Sequence, residues 1–255
     1  MTKVILSGCL GRMGSAITRL SKEDENVKIV CGLDKFADEN TNVGYPVYKD
    51  IDALEKDADV IIDFSHPDNL EGLLSFATQN KIAVVSATTG HTDEQRKLLK
   101  KASELVPVFF SANMSLGINL LIRLAKDAAR VLEEDFDIEI LEMHHNKKLD
   151  APSGTALAIA DGIKEVLKNE HEYVYERQSV RRERERKEIG ISALRGGTVV
   201  GEHEVIFAGD DELVKLSHSA HSRDVFAKGA LRAAKFLNGK QAGFYTMDDL
   251  FAEIL

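Results

Sequence analysis

Five short, almost wholly apolar runs punctuate the first 110 residues, and helix-like stretches separate them. They are KVILSG (3–8), VKIVCGLD (27–34), DVIIDFS (59–65), KIAVVSAT (81–88) and VPVFFSA (106–112). None shows the in–out alternation of a strand with one wet face. A strand that is apolar on both sides must be covered on both sides, which predicts a parallel sheet with helices above and below it. The segments from Gly11 to about Ser21, Asp68 to Gln79 and Thr92 to Glu104 supply those helices. Thr92-Asp93-Glu94 opens the third with a hydroxyl cap and two first-turn acids.

The pattern changes after Ser115. A long helix opens there, with Leu120, Leu121, Leu124, Ala128, Val131 and Leu132 expected along one face. FDIEILEMHH (136–145), a helix from about Ser153 to Asn169, and the runs 187–195, 197–209 and 212–220 follow. Gly196-Gly197 and Gly209-Asp210-Asp211 read as hairpin turns between these runs. The charged stretch YERQSVRRERERKE (175–188) mixes both signs and reads as a solvated loop or strand edge. The amphipathic helix from Asp224 to Leu237 returns to the first domain. The expected division is therefore 1–114 with 222–255, and 115–221, the latter an α+β domain with a mixed or antiparallel sheet.

Charge and composition remove several function classes. The net charge is −9, which disfavours a nucleic-acid partner. No apolar run approaches the roughly 20 residues of a membrane span, and the first residues enter a strand without the pattern of a signal peptide. Cys9 and Cys31 fall in strand-like segments and are expected as free thiols, which fits a cytoplasmic protein.

Gly8-Cys9-Leu10-Gly11-Arg12-Met13-Gly14 links the first strand to the first helix. Glycines there allow a tight turn and a close approach of backbone N–H groups to a pyrophosphate at the helix N-terminus. The spacing GxxGxxG is weak by itself. Asp34 strengthens it, because an acid ending the second strand suits the ribose hydroxyls of an adenosine. Lys35 beside it would attract a 2′-phosphate, so NADH or NADPH is expected as cofactor. Ala87-Thr88-Thr89 and Ser111-Ala112-Asn113-Met114 close the fourth and fifth strands, where ligands of such sheets lie. The fold class is thus α/β, a Rossmann-like doubly wound parallel sheet with a second domain.

The densest chemistry lies in EMHHNKKLDAPSGTA (142–156). His144 and His145 point to opposite faces of a strand, neither cysteine is in a CxxC pair and HExxH is missing, so no metal is expected. His144 and Lys148 can reach one pocket across a turn. Ser153 suits a helix cap, and the N–H groups of Gly154 and Thr155 make an anion cradle in the first turn. A proton donor, a cation and an anion cradle suit hydride addition to an electron-poor conjugated acid, which leaves negative charge to be neutralised and protonated.

GCLGRMG, ATTG, SANMSLGIN, EMHHNKKLDAPSGTA, RGGTVVGEH and HSR (221–223) resemble, in the same order, the motifs of the 4-hydroxy-tetrahydrodipicolinate (dihydrodipicolinate) reductase family. The resemblance implies reduction of a small cyclic dicarboxylate with loss of water, on the route to diaminopimelate and lysine. It implies His144 as general acid/base and Lys148 as proton donor. It also implies His145, Ser153, Gly154 and Thr155 at the substrate, and Gly8 to Met13, Asp34, Ala87 to Thr89 and Ser111 to Met114 at the cofactor. A cytoplasmic homotetramer assembled through the second sheet is a further implication. Val199, Val205 and Phe207 share one face, which a single layer leaves uncovered. Two other classes fit part of the pattern: a Rossmann dehydrogenase of amino acids, such as an aspartate dehydrogenase, and a dinucleotide-sensing regulator. The regulator would require a basic DNA-binding face, and none is legible.

Overall fold

Burial on both faces is what makes the first apolar runs strands. Val4, Ile5, Leu6, Ile62, Val84 and Val85 are each 0% exposed in the computed structural model, which describes Met1–Ile254. The chain divides into two compact units, Met1–Ser115 with the residues from Arg223 onward, and Leu116–Ser222.

The first unit contains β1 (Thr2–Ser7), α1 (Arg12–Ser21), β2 (Val27–Leu33), β3 (Val47–Tyr48), β4 (Val60–Asp63), α2 (Leu70–Asn80), β5 (Ala83–Ser86), α3 (Asp93–Ser103) and β6 (Pro107–Phe110). Its other elements come from the end of the chain, and follow the second unit. That second unit contains α4 (Leu116–Leu132), β7 (Asp137–His144), α5 (Gly154–Val166), β8 (Glu172–Val174), β9 (Glu188–Arg195), β10 (Gly201–Ala208) and β11 (Leu213–Ala220). The chain then returns through α6 (Asp224–Leu237), β12 (Gly243–Tyr245) and α7 (Met247–Ile254).

Seven parallel strands run in the order β12-β6-β5-β4-β1-β2-β3. Ile5, Ile61, Val84 and Val108 pack under Leu70, Leu73 and Leu74 of α2 and Leu99 of α3. Alternate residues face the other way, where Phe109 meets Phe236 of α6 edge-on and α6 lies against α1. The chain leaves β1 in one direction and resumes at β4 in the other. That reversal opens a crevice at the strands' carboxyl ends, where such sheets bind ligands.

The second sheet runs β11-β10-β7-β9-β8 and is mixed. β9 pairs parallel with β7, whereas β10 pairs antiparallel with both β7 and β11. Gly209-Asp210-Asp211 makes the β10–β11 turn, closed by Gly209 N–H on the Glu212 carbonyl at 2.9 Å. Gly196-Gly197 is no hairpin turn, because β7 lies between β9 and β10. Its glycines instead let the chain cross, Gly197 at φ +51°.

Val205 and Phe207 are 0% exposed within one chain, packed with Ile118, Leu121, Ile159 and Ile163 of α4 and α5. They therefore require no partner subunit, contrary to expectation. On α4, Ile118, Leu121, Ala125 and Ala129 are buried, whereas Leu120, Leu124 and Val131 are exposed, so the apolar face is rotated from the one predicted. α5 stops at Val166 because Glu133, itself buried, accepts the next two free N–H groups, those of Lys168 and Asn169, at 2.9 and 2.8 Å. The charged stretch 175–188 is the exposed loop expected, running into the edge of β9, and its arginines are tied to the sheet. Arg177 and Arg184 both reach Glu139 of β7, Arg177 and Arg182 bind Glu188, and Arg184 also binds Asp137.

Candidate active site

At the tip of β1, Gly8 takes φ +77°, and a Cβ there would lie 2.6 Å from the Phe64 carbonyl oxygen. Gly14 is equally constrained, since its Cβ would meet the Gly8 carbonyl oxygen at 2.3 Å. Gly11 occupies the cap position of α1 without a side-chain cap, which leaves first-turn N–H groups directed at the crevice. Gly8, Leu10, Gly11, Asp34, Lys35 and Phe36 line a cleft of about 680 Å³.

Asp34 is 9% exposed, and each of its oxygens accepts a backbone N–H, from Leu10 at 2.9 Å and Phe36 at 3.0 Å. The carboxylate thus ties the glycine loop to the end of β2 and keeps lone pairs for a ligand. Lys35 lies with its ammonium 5.1 Å from the Phe36 ring, an exposed aromatic that the sequence reading passed over. The Cys9 thiol points inward, under Gly32. Burial, and then the nearby Asp34, push its pKa up to about 12, so it is inert. Cys9 contributes only its backbone to the loop, and Arg12 and Met13 form the first turn of α1.

Thr88 and Thr89 line a neighbouring cleft of about 520 Å³. Thr88 is anchored there by its hydroxyl donating to Asp63 at 2.8 Å, and Ala87 N–H donates to the Asp63 carbonyl at 3.0 Å. Ser111, Ala112, Asn113 and Met114 belong to neither cleft wall. Met114 is 2% exposed, and its carbonyl is so close to Gly229 of α6 that a Cβ there would lie 1.7 Å from the oxygen.

The crowded motif sits on the inner face of the second sheet. Ile138 and Ile140 of β7 lie in the apolar core beneath the helices, and the same face then continues as Glu142 and His144. Glu142 is 0% exposed and His144 8%. His144 Nδ1 is 2.6 Å from Glu142 Oε2, and Arg195 grips both Glu142 oxygens at 2.8 and 2.9 Å. The N–H of Ser153 completes the set at 3.0 Å. Burial pushes the Glu142 carboxyl up, but the bonds from Arg195, His144 and Ser153 outweigh it and hold the group below its ordinary range.

Ser153 caps α5, its Oγ accepting Ala156 N–H at 3.1 Å and lying 3.1 Å from His203 Nε2. A Cβ on Gly154 would meet nothing within 4 Å, so there is open space beside this residue at the helix tip; Thr155 follows in the same turn. His203 faces His144 edge-on, with centroids 5.2 Å apart. Burial, and then His144, lower its pKa to about 4, leaving it neutral near pH 7. Lys148 pairs with Asp150 at 2.8 Å, which holds that carboxyl below its usual range. His145 is half-buried on the opposite side of the strand direction from His144.

Glu142, Arg195 and His203 were not singled out from sequence. Glu142 was within reach, since residues two apart on a strand share a face. Arg195 and His203 join only through the pairing of His144 with Arg195 and of Glu142 with His203 across the sheet. Among the described residues, no three His, Cys, Asp or Glu side chains are grouped to hold a metal ion.

A parallel nucleotide-binding sheet followed by a sheet that presents an imidazole, an ammonium and an open helix tip defines a pyridine-nucleotide reductase of a small anionic substrate. Family descriptions for the N- and C-terminus of dihydrodipicolinate reductase match residues 2–114 and 117–251. The 4-hydroxy-tetrahydrodipicolinate reductases of Caldanaerobacter subterraneus and Clostridium novyi are 53% and 50% identical, over 98% of this chain and of each relative. A dipicolinate-bound dihydrodipicolinate reductase from Paenisporosarcina sp. TG-14 superposes with a TM-score of 0.80 at 25% identity, over 96% of this chain and 97% of that one. Aspartate dehydrogenase from Thermotoga maritima shares only the fold, at 13% identity and TM-score 0.52 over 94% of this chain and 98% of that one. The chain belongs to the dihydrodipicolinate reductase family. It is an NAD(P)H-dependent oxidoreductase that reduces 4-hydroxy-tetrahydrodipicolinate to tetrahydrodipicolinate in lysine and diaminopimelate biosynthesis.

Proposed function

We propose that His144 and Lys148 carry the proton chemistry of this reduction, and that the α5 tip holds a substrate carboxylate. The observation that carries this reading is the buried His144, fixed through Nδ1, beside a capped helix tip with open space at Gly154. A carboxylate accepting N–H groups from Gly154 and Thr155 gains from their partial positive charge. Lys148 is released from Asp150 when a substrate anion competes for it. His144 then presents Nε2 to the ring, with His145 as a further substrate contact.

NADH and NADPH are both proposed as cofactors. Gly8, Cys9, Leu10, Gly11, Arg12 and Met13 would hold the pyrophosphate; this reading is supported by the tight turn, which only glycine allows at Gly8 and Gly14, where a Cβ would collide with neighbouring backbone. Asp34 would accept ribose hydroxyls, Lys35 would meet a 2′-phosphate, and Ala87, Thr88, Thr89 and Ser111 to Met114 would complete the site. When bound, the reduced nicotinamide supplies the hydride. A cytoplasmic homotetramer is also proposed, on the family resemblance. Its candidate surface is the outer face of the second sheet, where Leu194 and Leu213 are 48% and 60% exposed.

The test is oxidation of NADH and NADPH in parallel with enzymatically generated substrate, and inhibition by pyridine-2,6-dicarboxylate. Comparable turnover with both cofactors and competitive inhibition by the planar diacid are expected. Activity with one cofactor alone would remove the dual assignment.

A further inference from the structure

We propose that Glu142 is a positioning residue that fixes the proton of His144 on Nδ1 and so leaves Nε2 as the reacting nitrogen. This rests on the assignment of His144 as the acid/base and deepens it.

A buried carboxylate is costly, and an apolar residue of similar size often serves a structural role as well. Glu142 is nonetheless wholly enclosed, and all four of its contacts are donors. Oε1 accepts from Ser153 N–H and Arg195 Nη2, and Oε2 from Arg195 Nη1 and His144 Nδ1. An ionised carboxylate only accepts, so Nδ1 must carry hydrogen. Neutral His144 therefore has its lone pair on Nε2, and the imidazolium presents its transferable N–H there. Gly201 keeps that atom accessible, since a Cβ would lie 3.0 Å from it.

Glu142 of β7 lies 2.6 Å from Nδ1 of the ring, and His203 of β10 faces the same ring edge-on.

Glu142→Gln keeps an oxygen for Nδ1–H and removes the charge. Its amide can also turn to donate, so neutral His144 should populate both tautomers in ¹⁵N NMR, with kcat falling roughly tenfold. NADH affinity should not change. An unchanged kcat and tautomer in the folded variant overturn the proposal. Should the variant not fold, ¹⁵N NMR of the wild-type ring decides: neutral His144 protonated on Nδ1 supports the proposal, and neutral His144 protonated on Nε2 overturns it. His144→Gln separates the two readings. If that variant keeps near-wild-type turnover, the catalytic assignment fails whatever the tautomer. If it is inactive while the tautomer contradicts Glu142, only the positioning role fails.

Discussion

In its proposed role His144 is held by one ring nitrogen and reacts through the other, and the contacts of Glu142 and Gly201 allow both. His144→Gln is expected to lower kcat by roughly 10²–10⁴, with NADH affinity in a fluorescence titration unchanged. Lys148→Ala should raise KM and lower kcat together, because in its proposed role the same ammonium attracts the substrate anion and supplies a proton. Asp34 braces the glycine loop and, in its proposed role, also meets the cofactor ribose. Asp34→Ala removes repulsion of a 2′-phosphate, so the kcat/KM ratio should move toward NADPH. It also frees Leu10 and Phe36 N–H groups, so both cofactors should bind more weakly than in the wild type. An unchanged ratio in parallel assays would mean that the carboxylate only braces the loop. The chemistry-bearing residues of the motif were legible because they lie within fifteen positions. Arg195 was not, because only strand register brings it to residue 142.

Local periodicity reported elements in proportion to their length. The central strands β1, β2, β4, β5 and β6 stood out as apolar runs, whereas β3, β8 and β12 have two or three residues, too few to show a period. α4 misled differently: Leu120 and Leu124 extend its apolar composition onto a solvent face, so composition enlarged the stripe beyond what is buried. The glycines at 196–197 mark a turn without naming the strand that follows it in space. α5 yields a sharper expectation. Ser153→Ala deletes the cap and the hydroxyl facing His203, and should cost about 1 kcal/mol in denaturant unfolding. On β10, Phe207→Ala should cost about 3–5 kcal/mol by the same measurement, as expected of a residue enclosed by its own helices.

Stability should also depend on pH through Glu142. Its folded pKa lies below the ordinary value of 4.5, so its contribution is complete above that value and is lost as pH falls through the lower, folded pKa. Thermal melts should therefore decline steeply below about pH 4.5, and less so in Glu142→Gln. Assembly is a separate question. Because Val205 and Phe207 are satisfied within one chain, dissociation of a tetramer should leave folded protomers, visible as smaller species with unchanged circular dichroism on dilution in the ultracentrifuge. Replacing exposed Leu194 with Lys should favour those species if the outer face of the sheet is the interface.

Glu142, Arg195 and His203 come from three strands spread over sixty positions, so no shorter stretch of chain can assemble them. A ribosome-bound chain that has not yet emitted residue 203 already owns the dinucleotide loop but has no finished acid/base. A diacid that docks on this cluster would therefore report the moment the sheet closes during synthesis, before the C-terminal helices have completed the first unit.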